Sequence, residues 1–357
     1  MSPPKASPSP EPDANAPTPS SGGTGVADLF GRIFRSRESS VLIVLVLLLV
    51  ILFFSPARDA FYGKENWLNL SRQIALLSIF AIGETVVIIT GGIDLSQGSL
   101  IAFTGMLLAA MVTRFDTRMF TGAAIGMAIL LTLIAALTIG GLHATLIHRI
   151  KLPPFVVTLA SLTILRSQAL LMNRQLPITL SDYPFLKDLA NGSLFTGTKF
   201  PIPIPLVILI VVAIVVHLLL SQASIGRYIY SVGSNEQATR LSGVNVGRVK
   251  LFAYGTSALL GGIAGILYAG YGSQGDPLSA QGYELNAVAA AVIGGANLMG
   301  GQGTVSGTIL GACLLNVILT GMNMIGVPNE SLWEGTVVGG VLLLAVLTTA
   351  LRQRRKE

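Results

Sequence analysis

Apolar blocks recur along the chain and are separated by shorter polar segments. Each block holds roughly 20 residues, the length at which a helix crosses about 30 Å of hydrocarbon. The pattern therefore predicts an all-α polytopic membrane protein with about ten transmembrane helices, some of them broken by glycines. The predicted spans are residues 39–56, 73–91, 98–113, 120–147, 154–172, 203–220, 251–271, 284–299, 303–321 and 333–351.

The composition agrees with a membrane protein. Hydrophobic residues make up 52% of the 357 residues and charged residues only 11%, whereas a soluble domain carries about 25% charge. The net charge of +6 does not indicate nucleic-acid binding, because many of the basic residues flank predicted spans. The single cysteine, Cys313, excludes a disulfide framework and a cysteine-based metal site, and no metal site is predicted.

Three regions follow from the sequence. Residues 1–38 form a Pro- and Ser-rich tail that ends in basic residues, and such a composition predicts disorder. Residues 39–351 form the membrane domain, whose longest predicted cytoplasmic segment is 221–250. Residues 352–357 form a basic tail.

The distribution of lysine and arginine predicts that both chain ends face the cytoplasm. With ten spans, 14 of these residues fall in segments on the inner side and 8 on the outer side. Cytoplasmic segments carry the excess of basic residues. One helix more or fewer would reverse every segment that follows it.

The segment Thr90–Ser99, which reads TGGIDLSQGS, predicts a break between two helices. Asp94 or Ser96 could cap the second helix. The segment could line a transport pathway or form an ordinary cytoplasmic turn, and the residues alone leave both open. A weak echo follows at 294–304, and helices broken at the pathway are typical of transporters with internal repeats.

Polar groups inside predicted spans are costly in a bilayer and often functional. Glu84 and Arg166 could form a structural ion pair or could contact a solute. Glu284 and Asn286, at the outer mouth of their span, could contact a hydroxylated solute or cap the helix. No span holds a series of Asp, Glu and His, which disfavours a proton relay. The candidates for the translocation pathway are Asp94, Ser96, Gln97, Glu84, Arg166, Glu284, Asn286 and Asn297.

Three glycines at intervals of four, Gly303, Gly307 and Gly311, would share one helix face. Small residues at this spacing let a second helix approach closely, so helix packing is the expected role.

The segment 233–244 predicts a short surface helix. Ser234 and Gln237 match a capping box, Glu236 and Arg240 form an i,i+4 pair, and Gly243 supplies a stop. The segment is either a well-capped loop or a docking element for a cytoplasmic partner. No catalytic residue is predicted, because no P-loop or hydrolase motif occurs in the chain.

Three stretches carry a family resemblance: TGGIDLSQGSL, then GRYIYSVGSNEQATRLSGVNVGRVK, then GYELNAVAAAVIGGANLMGGQGTVSGTILGA. In this order and spacing they resemble the permease subunit of ribose-type ABC sugar importers, from about residue 40 to residue 350. Gln97 departs from the pattern, since family members often carry Val at this position. The Pro-rich tail lies outside the resemblance.

The resemblance implies a permease in the bacterial inner membrane that is not itself an enzyme and holds no cofactor. ATP and Mg²⁺ would bind to a separate cytoplasmic ATPase, a periplasmic sugar-binding protein would deliver the solute, and a second permease copy would complete a homodimer within the lipid. The ATPase would dock on the short helix, formed by Ser234, Asn235, Glu236, Gln237, Arg240 and Leu241. Nucleic acid is not an expected partner.

Two other functions stay open at the level of the sequence. One is a secondary transporter coupled to ions or protons, which the possible repeat would favour. The other is an ABC permease with a different cargo, either a nucleoside or an amino acid.

Overall fold

The computed structural model describes residues 37–115, 121–198, 201–328 and 330–354. In these ranges the chain forms helices joined by short loops, with two small two-stranded sheets. The predicted tail lies outside the described residues except for its last two positions, and the end of the C-terminal tail, 355–357, lies outside them as well.

Fourteen helices make up the described chain. They are α1 (Arg37–Phe53), α2 (Arg58–Phe61), α3 (Lys64–Ile89), α4 (Gln97–Phe115), α5 (Thr121–His148), α6 (Pro154–Met172), α7 (Pro184–Asn191), α8 (Ile204–Ser221), α9 (Ser224–Ser234), α10 (Glu236–Leu241), α11 (Val246–Tyr271), α12 (Tyr283–Ile293), α13 (Val305–Ile325) and α14 (Glu330–Arg354). Strand β1 (Ile178–Thr179) pairs antiparallel with β4 (Gln274–Gly275), and β2 (Ser193–Leu194) pairs with β3 (Ile202–Pro203).

The structure confirms a helical membrane protein with several spans. Each predicted span overlaps one helix, and seven helices of the described chain are long and apolar enough to cross a bilayer: α3, α4, α5, α6, α8, α11 and α13. The apolar helices near 39–56, 284–299 and 333–351 are shorter than that limit in the described residues. The number of transmembrane helices, ten, and the orientation of the chain ends therefore stay predictions. Helix α14 continues to Arg354, which is three residues into the predicted basic tail.

Helices α3 and α11 form the centre of the bundle. Helix α3 is buried along most of its length, and α11 packs along α3, α4 and α5. Helices α5, α6 and α8 expose most of their apolar surface. This inside-out distribution is expected where lipid, rather than water, surrounds the outer helices.

Residues that lack a bulky side chain allow the central helices to approach closely. A Cβ added at Gly265 of α11 would lie 2.0 Å from Thr104 Oγ1 and 2.7 Å from the Ile101 carbonyl oxygen, both of α4. A Cβ at Gly311 of α13 would lie 2.0 Å from the carbonyl oxygen of Ala290 in α12. These distances leave no room for a methyl group.

The packing prediction for the three glycines is confirmed for two of them. Gly307 lies against Gly294 as closely as Gly311 lies against Ala290, so both glycines form the contact between α13 and α12. Gly303 does not share their face, because α13 begins only at Val305 and Gly303 has a φ of 158°. The spacing was misleading here since Thr304 caps the helix between the first and second glycine.

The contact of α12 with α13 generates a prediction for stability. We expect Gly311→Ala to lower the free energy of unfolding by about 1–3 kcal/mol, the usual cost of overpacking, because its methyl group would overlap the Ala290 carbonyl oxygen. The measurement is thermal unfolding of the purified protein in detergent. Gly126→Ala is the matched control, since nothing lies within 4 Å of a Cβ at that helical position. Equal unfolding temperatures for Gly311→Ala and the wild type would contradict the packing account.

Candidate functional site

The segment between α3 and α4 is irregular backbone inside the bundle. Asp94 and Ser96 are fully buried, as is the first turn of α4. Gly91 has a φ of 78° and follows the end of α3, where the Gly92 N–H donates to the Val87 carbonyl oxygen at 3.2 Å. The predicted break is therefore confirmed. Gly92, Asp94 and Ser96 are buried in protein, as non-helical chain at membrane depth must be, whereas Gly91 is exposed.

The Asp94 carboxylate is the acceptor at the centre of this segment. Its Oδ1 accepts from the backbone N–H of Ser96 at 3.1 Å and from the Ser96 hydroxyl at 2.6 Å. Its Oδ2 accepts from Gln97 Nε2 at 3.1 Å and from Ser257 Oγ at 3.0 Å. Gln97 Nε2 also donates to Ser257 Oγ. The network joins the start of α4 to the middle of α11.

Glu84 belongs to the same buried region but not to the predicted ion pair. Its Oε1 accepts from the Asp94 backbone N–H at 3.0 Å. Arg166 instead donates through Nη1 to the carbonyl oxygens of Pro277 and Ser279, at 2.7 and 2.9 Å. The suggested pairing of Glu84 with Arg166 is wrong, because Arg166 donates to backbone carbonyls and Glu84 Oε1 accepts from a backbone N–H. The other carboxylate oxygen of Glu84, Oε2, is buried without a hydrogen-bond partner among the described residues.

Of the remaining pathway candidates, Glu284 lies beside the start of α4, next to the Asp94 network, whereas Asn286 and Asn297 lie elsewhere. The Glu284 carboxylate lies against the first turn of α4, and a Cβ at Gly98 would be 2.3 Å from its Oε2. Asn286 donates through Nδ2 to Glu334 Oε1 at 3.1 Å. Asn297 accepts from the Met299 N–H at 3.1 Å in the loop between α12 and α13. The structure thus brings Glu84, Asp94, Ser96 and Gln97 together, and a contact of any candidate with solute stays a prediction.

A second irregular segment, 294–304, lies at one end of the bundle and meets α3 and α9 there. The Gly301 N–H donates to the Ile89 carbonyl oxygen at 2.9 Å. A Cβ at Gly233 would be 1.7 Å from that oxygen and 2.6 Å from Gly301 N, so only glycine fits. Tyr230 of α9 donates its hydroxyl to the Gly303 carbonyl oxygen at 2.8 Å, and burial raises the pKa of this tyrosine. We call this contact of α3, α9 and the 294–304 segment the junction.

The two irregular segments share a helix ending, although not the register suggested by their sequences. Gly91 and Gly295 both have positive φ, and the following residue in each case bonds back five positions. This is the hydrogen bond of a Schellman ending. The equivalent positions are therefore Gly91, the first glycine of its pair, and Gly295, the second glycine of its pair. The sequence similarity between the two segments had aligned Gly91 with Gly294 and is thus displaced by one residue.

The predicted short helix exists, but its cap differs. Helix α10 is capped by Asn235, whose Oδ1 accepts from the Ala238 N–H at 2.8 Å. Ser234 is the last residue of α9 and donates its hydroxyl to the Tyr230 carbonyl oxygen. The capping box of Ser234 and Gln237 is therefore wrong. The stop is confirmed, since Gly243 has a φ of 83°.

Glu236 connects α10 to α11. It accepts from Arg240 Nη2 at 3.0 Å, which confirms the predicted i,i+4 pair, and from Lys250 Nζ at 2.8 Å. Burial alone would raise the pKa of Glu236, but the hydrogen bond and charge of Lys250, with the charge of Arg240, outweigh it and lower the pKa. The pair with Lys250 was missed, because a separation of 14 residues across a turn has no helical signature.

Two large apolar side chains are exposed at this end of the bundle. Leu241, the last residue of α10, is 83% exposed, and Met299 in the 294–304 segment is 81% exposed. Leu241 lies on α10, which directly follows α9, and Met299 lies in the 294–304 segment. The junction connects α9 to that segment. We call Leu241, Met299 and the surface of α10 the docking face.

Comparison with known proteins places the chain among transport permeases. Residues 66–347 match the model of a family described as the permease component of the branched-chain amino acid transport system. The chain is 34% identical to the ribose import permease protein RbsC of Escherichia coli strain K12, over 91% of this chain and 97% of the relative. It is 34% identical to RbsC of Bacillus subtilis strain 168, over 84% and 89%. It is 30% identical to the L-arabinose ABC transporter permease protein AraH of Azospirillum brasilense, over 100% and 98%.

No solved structure matches the chain. The family match nevertheless covers most of the membrane domain, including the buried Asp94 network, the junction and the docking face. This chain belongs to the family of binding-protein-dependent transport permeases described as the permease component of the branched-chain amino acid transport system.

Proposed function

We propose that this chain is the membrane permease of an ABC importer for a monosaccharide and that it acts in the bacterial inner membrane. The observation that carries the proposal is the similarity to ribose and L-arabinose permeases over nearly the full length of both chains. Transport would proceed by alternating access, and the permease itself would make or break no covalent bond.

The docking face, together with Ser234 and Asn235 immediately before α10, is the proposed contact for the ATPase. Of the residues predicted from the sequence, the face itself contains Glu236, Gln237, Arg240 and Leu241. Its apolar side chains are exposed without surrounding protein, and apolar area removed from water drives association. The ion pairs of Glu236 and the Asn235 cap fix the shape of α10. The junction then connects any displacement of α9 directly to the end of α3.

Three partners complete the proposed importer. A cytoplasmic ATPase would hold ATP and Mg²⁺, a periplasmic protein would deliver the sugar, and a second copy of the chain would form a homodimer within the lipid. With the docking face in the cytoplasm, the opposite end of the bundle faces the periplasm, which agrees with the excess of basic residues on the predicted inner side.

An amino acid is the second candidate cargo, because the description of the family names branched-chain amino acids. A nucleoside has no such support. A secondary transporter that works alone is not favoured, since the family is one of permease components.

The proposal predicts uptake that depends on partners. Proteoliposomes that contain the permease, its candidate ATPase and internal ATP should take up labelled D-ribose or L-arabinose only when the candidate binding protein is also present. Omission of any one component should abolish uptake. If the complete system takes up leucine but neither sugar, the cargo is an amino acid and not a monosaccharide. If the permease without partners takes up sugar, and this uptake stops when the ion gradient collapses, the proposal is contradicted.

The docking face predicts a second result. Burial of a leucine side chain contributes about 1.5–3 kcal/mol, so Leu241→Asp should weaken ATPase binding by about 10-fold or more. The measurement is titration of the solubilised permease with purified ATPase. Leu278→Asp is the control, since Leu278 is also exposed but follows β4 at the opposite end. Unchanged binding by Leu241→Asp would place the ATPase contact elsewhere.

A further inference from the structure

A polar cavity opens at the end of the bundle opposite the docking face. Its volume is about 470 Å³, within the range of small-molecule sites. The first half of α3, the end of α11 and the second half of α13 form its walls, and the first turns of α12 and α14 complete them. Five helices that are distant in sequence therefore converge on one concave surface.

Side-chain amides dominate the polar lining of the cavity. The six amides are Asn66, Asn69, Gln73, Asn286, Asn316 and Asn323. A carboxamide donates through its nitrogen and accepts through its oxygen, and a sugar hydroxyl likewise donates and accepts. A cluster of amides thus matches a solute that carries several neutral hydroxyl groups.

The amides are graded in depth and several are held in place. Asn316 is 9% exposed and donates through Nδ2 to the Ala312 carbonyl oxygen at 2.9 Å, so its rotamer is fixed deep in the cavity. Asn66 donates to the Phe61 carbonyl oxygen at 2.7 Å. Asn69 and Gln73 are exposed at the mouth. Fixed polar groups lose little entropy when a ligand binds.

Three tyrosine rings, of Tyr268, Tyr271 and Tyr283, also line the cavity, beside leucine and methionine side chains. Tyr268 and Tyr283 meet edge to face with centroids 5.7 Å apart, and Tyr283 stacks on Phe80 at 6.5 Å with an interplanar angle of 10°. The rings of Tyr268 and Tyr283 are therefore held by their neighbours. A tyrosine offers an apolar face beside a polar hydroxyl, which suits the mixed C–H and O–H surface of a sugar.

Charge distinguishes between classes of solute. Among the described residues that line the cavity, Glu334 is the one acidic side chain, and none is lysine, arginine or histidine. Glu334 accepts from Asn286 Nδ2 at 3.1 Å. The nearest cation that the hydrogen bonds show, Arg72, lies outside the lining and donates Nη1 to Asn69 Oδ1 at 2.9 Å. A phosphate or carboxylate in the cavity would therefore meet amide donors but no lining cation, and it would be repelled by the Glu334 carboxylate. The lining therefore disfavours anions and the carboxylate of an amino acid.

We infer that this cavity is a binding site for a neutral polyhydroxylated solute and that Asn286 and Asn316 determine its specificity. The inference rests on the proposed function for the direction of transport. It assigns solute contact to five helices at the end opposite the docking face, and of the pathway candidates from the sequence it includes Asn286 alone.

The test combines uptake with protection from a thiol reagent. Asn286→Ala should lower the initial uptake rate of subsaturating sugar by about 3- to 10-fold, the effect of one lost hydrogen bond, without changing ATPase binding. In a Cys313→Ser background, saturating sugar should slow labelling of Asn286→Cys by a small methanethiosulfonate, and leucine should not. Gln281→Ala and Gln281→Cys are the matched controls, because Gln281 is an exposed amide near α12 that does not line the cavity.

The outcomes separate this inference from the proposed function. If the wild-type complex imports none of the sugars tested, the proposed function fails, and this inference fails with it. If the wild-type complex imports a sugar but Asn286→Ala transports it normally and the sugar leaves the labelling of Asn286→Cys unchanged, the cavity assignment alone is overturned. Equal protection by leucine would also overturn the assignment of a neutral polyhydroxylated solute.

Discussion

The constraint on which this structure most depends is the need to satisfy irregular backbone within an apolar bundle. Between the end of α3 at Thr90 and the start of α4 at Gln97, the chain exposes Gly91 but buries Gly92, Asp94 and Ser96. Unpaired polar groups at that depth cost several kcal/mol each. Asp94 resolves this by accepting from four donors on its own segment, α4 and α11, and its own N–H is taken up by Glu84 of α3. The Asp94 carboxylate thus joins its own segment to α4 and α11, and the Asp94 N–H joins that segment to Glu84 of α3.

Close backbone packing at the junction connects the end of α3 to the docking face. At the junction, Gly233 leaves no room for a side chain between α9, the end of α3 and Gly301. We expect α9, the end of α3 and the 294–304 segment to move as one unit, because close-packed interiors change between discrete arrangements and do not deform continuously. A force on α10 would therefore reach α3, and through α3 the cavity at the opposite end, without any mobile linker.

Much of the fold was predictable because its signals are local. Apolar length located the helices, the paired glycines and Asp94 located the break, and the short helix near Glu236 followed from spacing over a few residues. Two of the errors depended on a choice between neighbouring residues, whereas the wrong pairing of Glu84 with Arg166 concerned residues far apart in sequence. Asn235 rather than Ser234 caps α10, and Thr304 separates Gly303 from the packed glycines.

The long-range contacts of the site could not be predicted from the sequence. Ser257 reaches Asp94 across 163 positions, and Lys250 reaches Glu236 across 14. The cavity is the extreme case, since amides from α3, α12 and α13 meet only in the folded protein. Asn66, Asn69 and Asn286, taken singly, look like ordinary polar residues near the start of a helix, and Asn316 is a single polar residue in the middle of α13.

The central claim is that Asp94 holds the bundle together and that function resides in the two ends. The most direct measurement is thermal unfolding and partner-dependent uptake of Asp94→Ala, beside exposed Asp182→Ala as a control. The account predicts a loss of about 2 kcal/mol or more in unfolding free energy for Asp94→Ala, since several buried hydrogen bonds lose their acceptor, and none for Asp182→Ala. If Asp94→Ala unfolds at the same temperature as the wild type but no longer supports sugar uptake, the account is contradicted. Asp94 would then be assigned to the transport pathway and not to the stability of the bundle.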